Sequence, residues 1–168
     1  YNPLNAQKLY SQKDLHDETF CKEELLRLLR ASVKKRMMSD VPFGVFLSGG
    51  IDSSLNVALM SEFTSQVKTF NVSFSDGPEY SEVEWARKVA HQFGTDHHEI
   101  VISEKEAFQF YKKMVYHQDE PLADCVCIPL YYVSKLLKDS EITVVQVGEG
   151  SDELFCGYQS YANYIDAY

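Results

Sequence analysis

The chain has 168 residues, of which 45% are hydrophobic and 13% aromatic, which is typical of a globular protein with one domain of common size. Its 25 acidic and 16 basic residues give a formal charge of -9, which repels phosphate backbones and argues against a nucleic-acid-binding surface. The sequence contains neither a signal peptide nor an apolar run long enough to cross a bilayer, so we expect no membrane attachment and a small-molecule substrate.

Residues 1–16 carry polar residues and proline without any hydrophobic period, which predicts a linker or the remnant of an upstream domain. The folded core is predicted over residues 17–168. It opens with a helix from Glu18 to Ser39, in which apolar residues recur at every fourth position.

Strands and helices alternate along the rest of the chain. Apolar or alternating segments predict strands over residues 41–48, 67–74, 97–102 and 142–147. Helices are predicted after Ser54, from Ser81 to Phe93, from Ser103 through Met114 and over 128–139, with capping boxes at 81–84 and 103–106, a stop at Gly94 and a loop over 118–127. This alternation predicts parallel strands joined by right-handed crossovers, hence an α/β fold with a doubly wound parallel sheet and helices on both faces.

Polar, glycine-rich turns follow the first and fourth predicted strands. The first is SGGIDSS, from Ser48 to Ser54, and the second begins with GEGSDE, from Gly148 to Glu153. Ligands of doubly wound folds bind beyond the carboxyl ends of the strands, where the strand order reverses. If strands one and four are neighbours, both turns lie at one edge of the sheet and form one site.

The first turn has the features of an anion site. Gly49 and Gly50 permit positive φ and close approach to a ligand, and the first N–H groups of the following helix have no internal partner. The hydroxyl groups of Ser48, Ser53 and Ser54 add donors, and the helix dipole favours negative charge. Because both the P-loop pattern with its lysine and the pattern G-x-G-x-x-G are absent, we expect another type of phosphate-binding loop.

The carboxylates of the two turns predict a bound metal ion. Asp52 is stabilised among phosphate oxygens if a cation such as Mg²⁺ lies between them, and Asp152 can share that ion. Glu149 is then a candidate general base near the reacting phosphorus. Helix capping is the alternative explanation for these polar side chains, and it applies most readily to Glu153.

The cysteines favour a reducing compartment. Cys21, Cys125, Cys127 and Cys156 include one C-x-C pair, but no second pair and no histidine at a finger-like spacing follow it. Reduced structural thiols are the simpler interpretation, and they predict a cytoplasmic location.

The two turns carry a resemblance to a known family. SGGIDSS resembles the pyrophosphate-binding loop of the N-type ATP pyrophosphatases, and GEGSDELFCGY (148–158) resembles the second signature of the asparagine synthetase class within them. The segments GTDHHEI (94–100) and DEPLAD (119–124) are also similar to family segments. The resemblance runs from about Glu18 to the end of the chain and implies the adenine nucleotide alpha hydrolase-like form of a Rossmann-like fold.

ATP-dependent amide formation is the activity that the resemblance implies. An acid, aspartate in the namesake enzymes, attacks the α-phosphorus of ATP to give an acyl-adenylate and pyrophosphate, and glutamine-derived ammonia then displaces AMP. By position, Asp52 and Asp152 would hold Mg²⁺, and Glu149 would assist attack by ammonia, so that Glu149 and Asp152 are the expected catalytic residues. The pyrophosphate would be held by Ser48, Gly49, Gly50, Ser53 and Ser54, and the adenosine would be bordered by Leu47, Val72 and the Val147–Gly148 backbone.

Departures from the family pattern leave the acid substrate open. Val147 stands where members often have serine, and Cys125 and Val126 stand where some aspartate-specific members have threonine and arginine. A β-lactam synthetase-like or peptide-cyclising enzyme acting on another acid, a tRNA-thiolating pyrophosphatase and a non-catalytic nucleotide-binding homologue are the alternatives. The glutaminase domain and the carboxyl-terminal helical segment of the family are not found in this sequence. We therefore expect a fragment of a longer synthetase, truncated at its carboxyl terminus, and a homodimer is compatible with the resemblance.

Overall fold

The computed structural model describes residues 14, 16–76, 82–120, 124 and 126–167. The chain divides after Met38 into two compact units. The first unit contains helix α1 (Glu18–Arg36), whose N-cap Asp17 accepts from the backbone N–H groups of Thr19 and Phe20 at 2.9 and 3.1 Å. The predicted helix is confirmed and ends at Arg36. The division into a linker over 1–16 and a core over 17–168 stays a prediction, because most of that linker lies outside the described residues.

Strands and helices alternate along the second unit, as predicted. Its strands are β1 (Phe43–Phe46), β2 (Lys68–Phe74), β3 (Asp96–Ile102) and β4 (Val144–Gln146). Its helices are α2 (Ile51–Ser61), α3 (Val83–Phe93), α4 (Glu104–Gln118), α5 (Cys127–Asp139), α6 (Ser151–Phe155) and α7 (Gln159–Asp166).

The four strands form one parallel sheet in the order β3-β2-β1-β4. Helices α2 and α3 connect β1 to β2 and β2 to β3 in one direction across the sheet, whereas α4 and α5 lead back from β3 to β4. Right-handed crossovers in opposite directions place the two pairs of helices on opposite faces. The predicted doubly wound α/β fold with helices on both faces is therefore confirmed.

The core is apolar on both faces of the sheet. On one face Phe70 packs with Val133 and Leu137 of α5 and with Ile142, and Phe46, Val72, Leu136 and Val145 extend this cluster. On the other face, which carries α2 and α3, the most buried side chains are those of Val45, Val57, Met60, Ala86 and Ala90.

Several helix ends follow the predicted local signals. At the start of α4, Glu106 N–H donates to Ser103 Oγ at 3.3 Å and Ser103 N–H donates to Glu106 Oε2 at 2.8 Å, so this capping box is confirmed. Gly94 ends α3 with φ of 61°, as predicted. Ser81 of the other predicted box lies outside the described residues, and α3 begins at Val83 with Glu82 as its N-cap.

Some boundaries differ from prediction. Strands β1 and β4 are shorter than their apolar segments, α4 continues past Met114 to Gln118, and α2 begins at Ile51 instead of after Ser54. Residues 121–123 and 125 of the loop expected over 118–127 lie outside the described residues. Within the part of the chain that the structure describes, no helix is both long enough and apolar enough to span a membrane.

Candidate functional site

The sheet brings the two glycine-rich turns to the same edge. Strand β4 pairs in parallel with β1, with Phe43 beside Val144 and Val45 beside Gln146. The chain crosses from β1 to β2 on one side and returns to β4 on the other, so the strand order reverses between β1 and β4. Both turns leave the carboxyl ends of these strands, at the switch point where doubly wound folds bind ligands. The adjacency expected from the sequence is confirmed.

The two turns also touch. A Cβ atom built on Gly148 would lie 3.3 Å from the Cβ of Asp52 and 3.4 Å from the backbone nitrogen of Ser53. The backbone of the second turn therefore passes against the first turn of α2. A side chain at position 148 would be in tight contact with the start of α2, and the absence of one lets the two turns approach closely.

The first turn leaves the start of α2 without a side-chain cap. Gly50 is the N-cap and makes no side-chain cap hydrogen bond, so the first N–H groups of the helix are free of side-chain acceptors. Ser53 Oγ instead donates to the carbonyl of Gly50 at 3.1 Å and lies 3.0 Å from Ser48 Oγ. Because Asp52, Ser53 and Ser54 lie inside the helix, capping does not explain why these residue types occur here.

The turn is pressed against the neighbouring helix. Gly49 has φ of 92°, and a Cβ on it would lie 2.6 Å from Trp85 Cβ and 2.7 Å from the backbone nitrogen of Ala86 in α3. Neither the backbone conformation nor the space allows a side chain at this position. Gly49 therefore fixes the path of the turn by contact with α3.

Ser54 has a hydroxyl group without a partner. Its Oγ is shielded from solvent and accepts or donates no hydrogen bond among the described residues, although its backbone N–H donates to the Gly50 carbonyl at 3.0 Å. A buried hydroxyl without a partner costs free energy, so a ligand that supplied an acceptor would be favoured here.

The end of β1 opens a gap beside β2. Leu47 N–H donates to the Phe70 carbonyl at 2.9 Å, but the Leu47 carbonyl accepts from the side-chain amide of Asn71 at 2.7 Å. Along a strand, the backbone N–H and C=O groups of successive residues point alternately to the two neighbouring strands. The Phe70 carbonyl points to β1, so the backbone groups of Val72, two residues later, point to the same side. Strand β1 has ended at Phe46, and the N–H and C=O groups of Val72 therefore point into the space beyond it.

The second turn leads into a short helix. Gly150, with φ of 85°, is the N-cap of α6 and makes no side-chain cap hydrogen bond. Asp152 is half-buried in the first turn of this helix, while Glu149 is exposed beside it. Val147, directly after β4, is 43% exposed at the same edge. Among the described residues, no group of three or more His, Cys, Asp or Glu side chains is arranged to hold a metal ion.

The GTDHHEI segment forms β3 and its approach, and its histidines lie on opposite faces of the sheet. His97 Nδ1 lies 2.8 Å from Thr69 Oγ1, whereas the His98 ring stacks on Phe70 with centroids 5.1 Å apart. Burial lowers the pKa of His97, and the Glu99 carboxylate opposes that change. Arg87 donates to both oxygens of Glu99 and lowers its pKa. These contacts join β3 to β2 and α3.

Three residues near the site were not identified from the sequence. Asn71 binds the end of β1, Gln146 is buried beside Val45 with no partner for its Nε2 among the described residues, and Tyr158 donates to Glu153 at 2.9 Å. A buried polar residue inside an apolar strand, as at Asn71 and Gln146, is the pattern that would have identified two of them.

Comparison with known proteins agrees with this geometry. The family model described as asparagine synthase matches residues 24–166. Asparagine synthetase [glutamine-hydrolyzing] 1 of Bacillus subtilis is 48% identical over 130 residues, which are 77% of this chain and 20% of that protein. The putative asparagine synthetase [glutamine-hydrolyzing] 2 of Methanocaldococcus jannaschii is 39% identical over 158 residues, 93% of this chain and 30% of that protein.

Asparagine synthetase B [glutamine-hydrolyzing] of Escherichia coli is 34% identical over 158 residues, covering 84% of this chain and 28% of its own length. The chain thus spans between 20% and 30% of the length of these three relatives. Since the family model covers nearly all of the described core, including both turns, the chain belongs to the asparagine synthase family.

Proposed function

We propose that this chain is the ATP-binding core of an asparagine synthetase-like amidotransferase, which activates a carboxylate as an acyl-adenylate and releases pyrophosphate. The observation that carries the proposal is the contact between the two glycine-rich turns, in which Gly148 lies against Asp52 and Ser53 at the switch point. The relatives are named asparagine synthetase, so aspartate is the proposed acid and glutamine-derived ammonia the proposed nitrogen donor.

The first turn would hold the pyrophosphate portion of ATP. Ser48, Gly49, Gly50, Ser53 and Ser54 are the proposed contacts. The uncapped start of α2 supports this assignment, because its N–H groups can donate to phosphate oxygens and its dipole favours their charge. The Ser54 hydroxyl also supports it, since a phosphate oxygen would supply the partner that this group lacks.

Asp52 and Asp152 would hold Mg²⁺. Each belongs to the first turn of a helix that starts at the same edge of the sheet, and Mg²⁺ in nucleotide sites is bound through one or two carboxylates with phosphate oxygens and water as its other ligands. Two carboxylates beside an anion site therefore fit this ion. When bound, the ion would neutralise charge on the phosphate oxygens.

The adenosine would lie in the gap beyond the end of β1. The N–H and C=O groups of Val72 point into this gap and offer a donor beside an acceptor, which complements the hydrogen-bonding edge of adenine. Leu47 and the Val147–Gly148 backbone would border the nucleotide on the β1 and β4 sides. Leu47 is fixed there by the hydrogen bonds to Phe70 and Asn71.

The proposed reaction has two steps. A carboxylate oxygen of the acid attacks the α-phosphorus, a new P–O bond forms, and the bond from the α-phosphorus to the bridging oxygen breaks as pyrophosphate leaves. The N–H donors of the first turn stabilise the charge that develops on this leaving group. Ammonia then forms a C–N bond to the acyl carbon and AMP leaves, with Glu149 accepting a proton from the attacking nitrogen.

A related synthetase acting on another acid is the second candidate. The segment 118–128 would distinguish the two substrates, and Val126, which departs from the aspartate-specific pattern, is exposed there. The free thiols of Cys127 and Cys156 support the proposed cytoplasmic location, because a reducing compartment preserves them. A homodimer is proposed on the resemblance alone.

Calorimetric titration with an unreactive ATP analogue, with and without Mg²⁺, tests the proposal. We expect metal-dependent binding that weakens about tenfold or more in Asp52→Asn and in Asp152→Asn, since each variant removes one charged ligand. Asp139→Asn, at the end of α5, makes the same chemical change away from the site and should bind as the unchanged chain does. Binding that does not depend on Mg²⁺, or no binding at all, would refute the proposal that the chain is an ATP-binding core.

A further inference from the structure

Helix α6 is too short to be stable by itself. It has five residues, and the residues at both of its ends, Gly150 and Cys156, have left-handed backbone conformations with φ of 85° and 57°. Isolated helices of this length are unstable because nucleation costs more than a few hydrogen bonds return. Contacts from outside the helix must therefore keep Asp152 in place.

The chain turns back over Asp152 directly after the helix. Gly157 N–H donates to the Asp152 carbonyl at 2.9 Å. A Cβ on Gly157 would collide with the Asp152 carboxylate and would lie 3.2 Å from its Cα. The backbone at position 157 thus packs directly against the Asp152 side chain and limits the rotamers that Asp152 can adopt.

A side-chain hydrogen bond closes this turn. The Tyr158 hydroxyl donates to Glu153 Oε1 at 2.9 Å, and the Tyr158 ring meets Tyr161 of α7 edge to face, with centroids 5.6 Å apart. The bond spans the turn and ties the residue after Gly157 to the residue after Asp152. The Glu153 carboxylate also raises the pKa of Tyr158 to about 12, so the phenol keeps its proton and its donor role at neutral pH.

We propose that Tyr158 and Glu153 are positioning residues, and that their hydrogen bond holds Gly157 against Asp152 and so fixes the direction of the Asp152 carboxylate. The adjacent acids Asp152 and Glu153 then have different roles, because Glu153 accepts from tyrosine and does not bind the metal ion. This inference rests on the proposed function in taking Asp152 as a ligand of Mg²⁺.

Four variants separate positioning from metal binding by Glu153. Tyr158→Phe removes the donor and keeps the ring contact with Tyr161. Glu153→Leu removes the acceptor, whereas Glu153→Gln keeps an acceptor oxygen and loses the charge. The double variant Tyr158→Phe with Glu153→Leu shows whether the two side chains act through one bond.

The measurement is the Mg²⁺ concentration that gives half-maximal binding of the ATP analogue, together with the affinity for the analogue without metal. We expect Tyr158→Phe and Glu153→Leu each to raise the required Mg²⁺ concentration by roughly two- to tenfold, the equivalent of one net hydrogen bond. The double variant should be no worse than either single variant, Glu153→Gln should stay close to the unchanged chain, and the metal-free affinity should stay constant.

Several results would overturn the inference. A Glu153→Gln variant as impaired as Asp152→Asn would make Glu153 a metal ligand, and an unchanged Mg²⁺ requirement in Tyr158→Phe would leave the bond without a role. Equal losses with and without metal would indicate a general structural effect.

Hydrogen exchange of the Gly157 amide tests the same bond without nucleotide. Faster exchange in Tyr158→Phe, with β2 amides unchanged, is the expected result, and unchanged exchange would refute the positioning. If the unchanged chain binds no nucleotide while this exchange still accelerates, the proposed function fails and the contact between Tyr158 and Glu153 stands.

Discussion

Replacement of Gly49 by alanine should be among the most destabilising single changes in the sheet edge. The backbone at Gly49 has φ of 92°, and an added Cβ would lie 2.6 Å from Trp85 Cβ, 2.7 Å from Ala86 N and 2.8 Å from the Trp85 carbonyl carbon. Two of these three atoms belong to the backbone of α3, so rotation of a side chain cannot relieve the contact. The helix or the turn must move.

The size of the effect follows from two terms. A left-handed backbone costs an L-residue roughly 1–2 kcal/mol, and insertion of a methyl group into a packed contact costs about 1–3 kcal/mol. Gly49→Ala should therefore lower the free energy of unfolding by roughly 2–5 kcal/mol. That is a large share of the stability of an ordinary domain, about 5–15 kcal/mol.

Two other glycines provide matched controls. Gly94 has φ of 61° but no heavy atom within 4 Å of its added Cβ, so Gly94→Ala should carry only the backbone cost of roughly 1–2 kcal/mol. Gly50 has φ of -66°, and its added Cβ would meet only Ser48 Oγ, at 3.3 Å, so Gly50→Ala should cost about 1 kcal/mol or less, the difference between the two residues at an N-cap.

Urea unfolding of the three variants measures these differences at equilibrium. The difference between Gly49→Ala and Gly94→Ala isolates the contact with α3. If Gly49→Ala were no more destabilising than Gly94→Ala, the turn would not be pressed against α3, and the account of how α3 shapes the first turn would be wrong.

Two further predictions concern buried polar groups. Gln146→Met keeps the length of a side chain that is 8% exposed and removes its Nε2, which has no partner in the described part of the chain. The free energy of unfolding in urea should therefore rise by about 1–3 kcal/mol, and a fall would contradict the burial argument. Burial lowers the pKa of His97 below the ordinary value of 6.5, so the native protein favours the neutral ring. The free energy of unfolding should therefore be constant above pH 6.5 and fall as the pH drops through the folded pKa. His97→Gln should flatten this fall in urea titrations between pH 7 and 5, and an equally steep fall in the variant would assign it to other groups.

Local signals predicted the elements whose ends depend on a few neighbouring residues. The capping box at Ser103 and the stop at Gly94 need only residues within one helical turn, and the structure contains both. The convergence of the two turns was also predictable, because alternation of strands and helices fixes the edge at which glycine-rich loops emerge.

Contacts between distant residues explain what the sequence did not reveal. Strand β1 ends early because the Leu47 carbonyl accepts from Asn71, which lies on another strand. The place of Ser54 inside α2 was not predicted, because α2 begins at Ile51 and takes in residues that were expected in the loop. The hydrogen bond between Glu153 and Tyr158 depends on the turn at Gly157, so neither residue type identified it alone.

The pairing of β4 with β1 has a consequence for how the chain folds. Val144 and Phe43 are neighbours in the sheet but lie roughly a hundred positions apart in the sequence, so their contact closes a long loop and forms slowly. Strands β1, β2 and β3 join through shorter crossovers and can assemble first. The two glycine-rich turns should therefore meet only in the last step, so that a chain still emerging from the ribosome has the first turn but not yet the complete proposed site. If the proposed nucleotide site is correct, nucleotide added during refolding should bind only the complete sheet and leave earlier intermediates unbound.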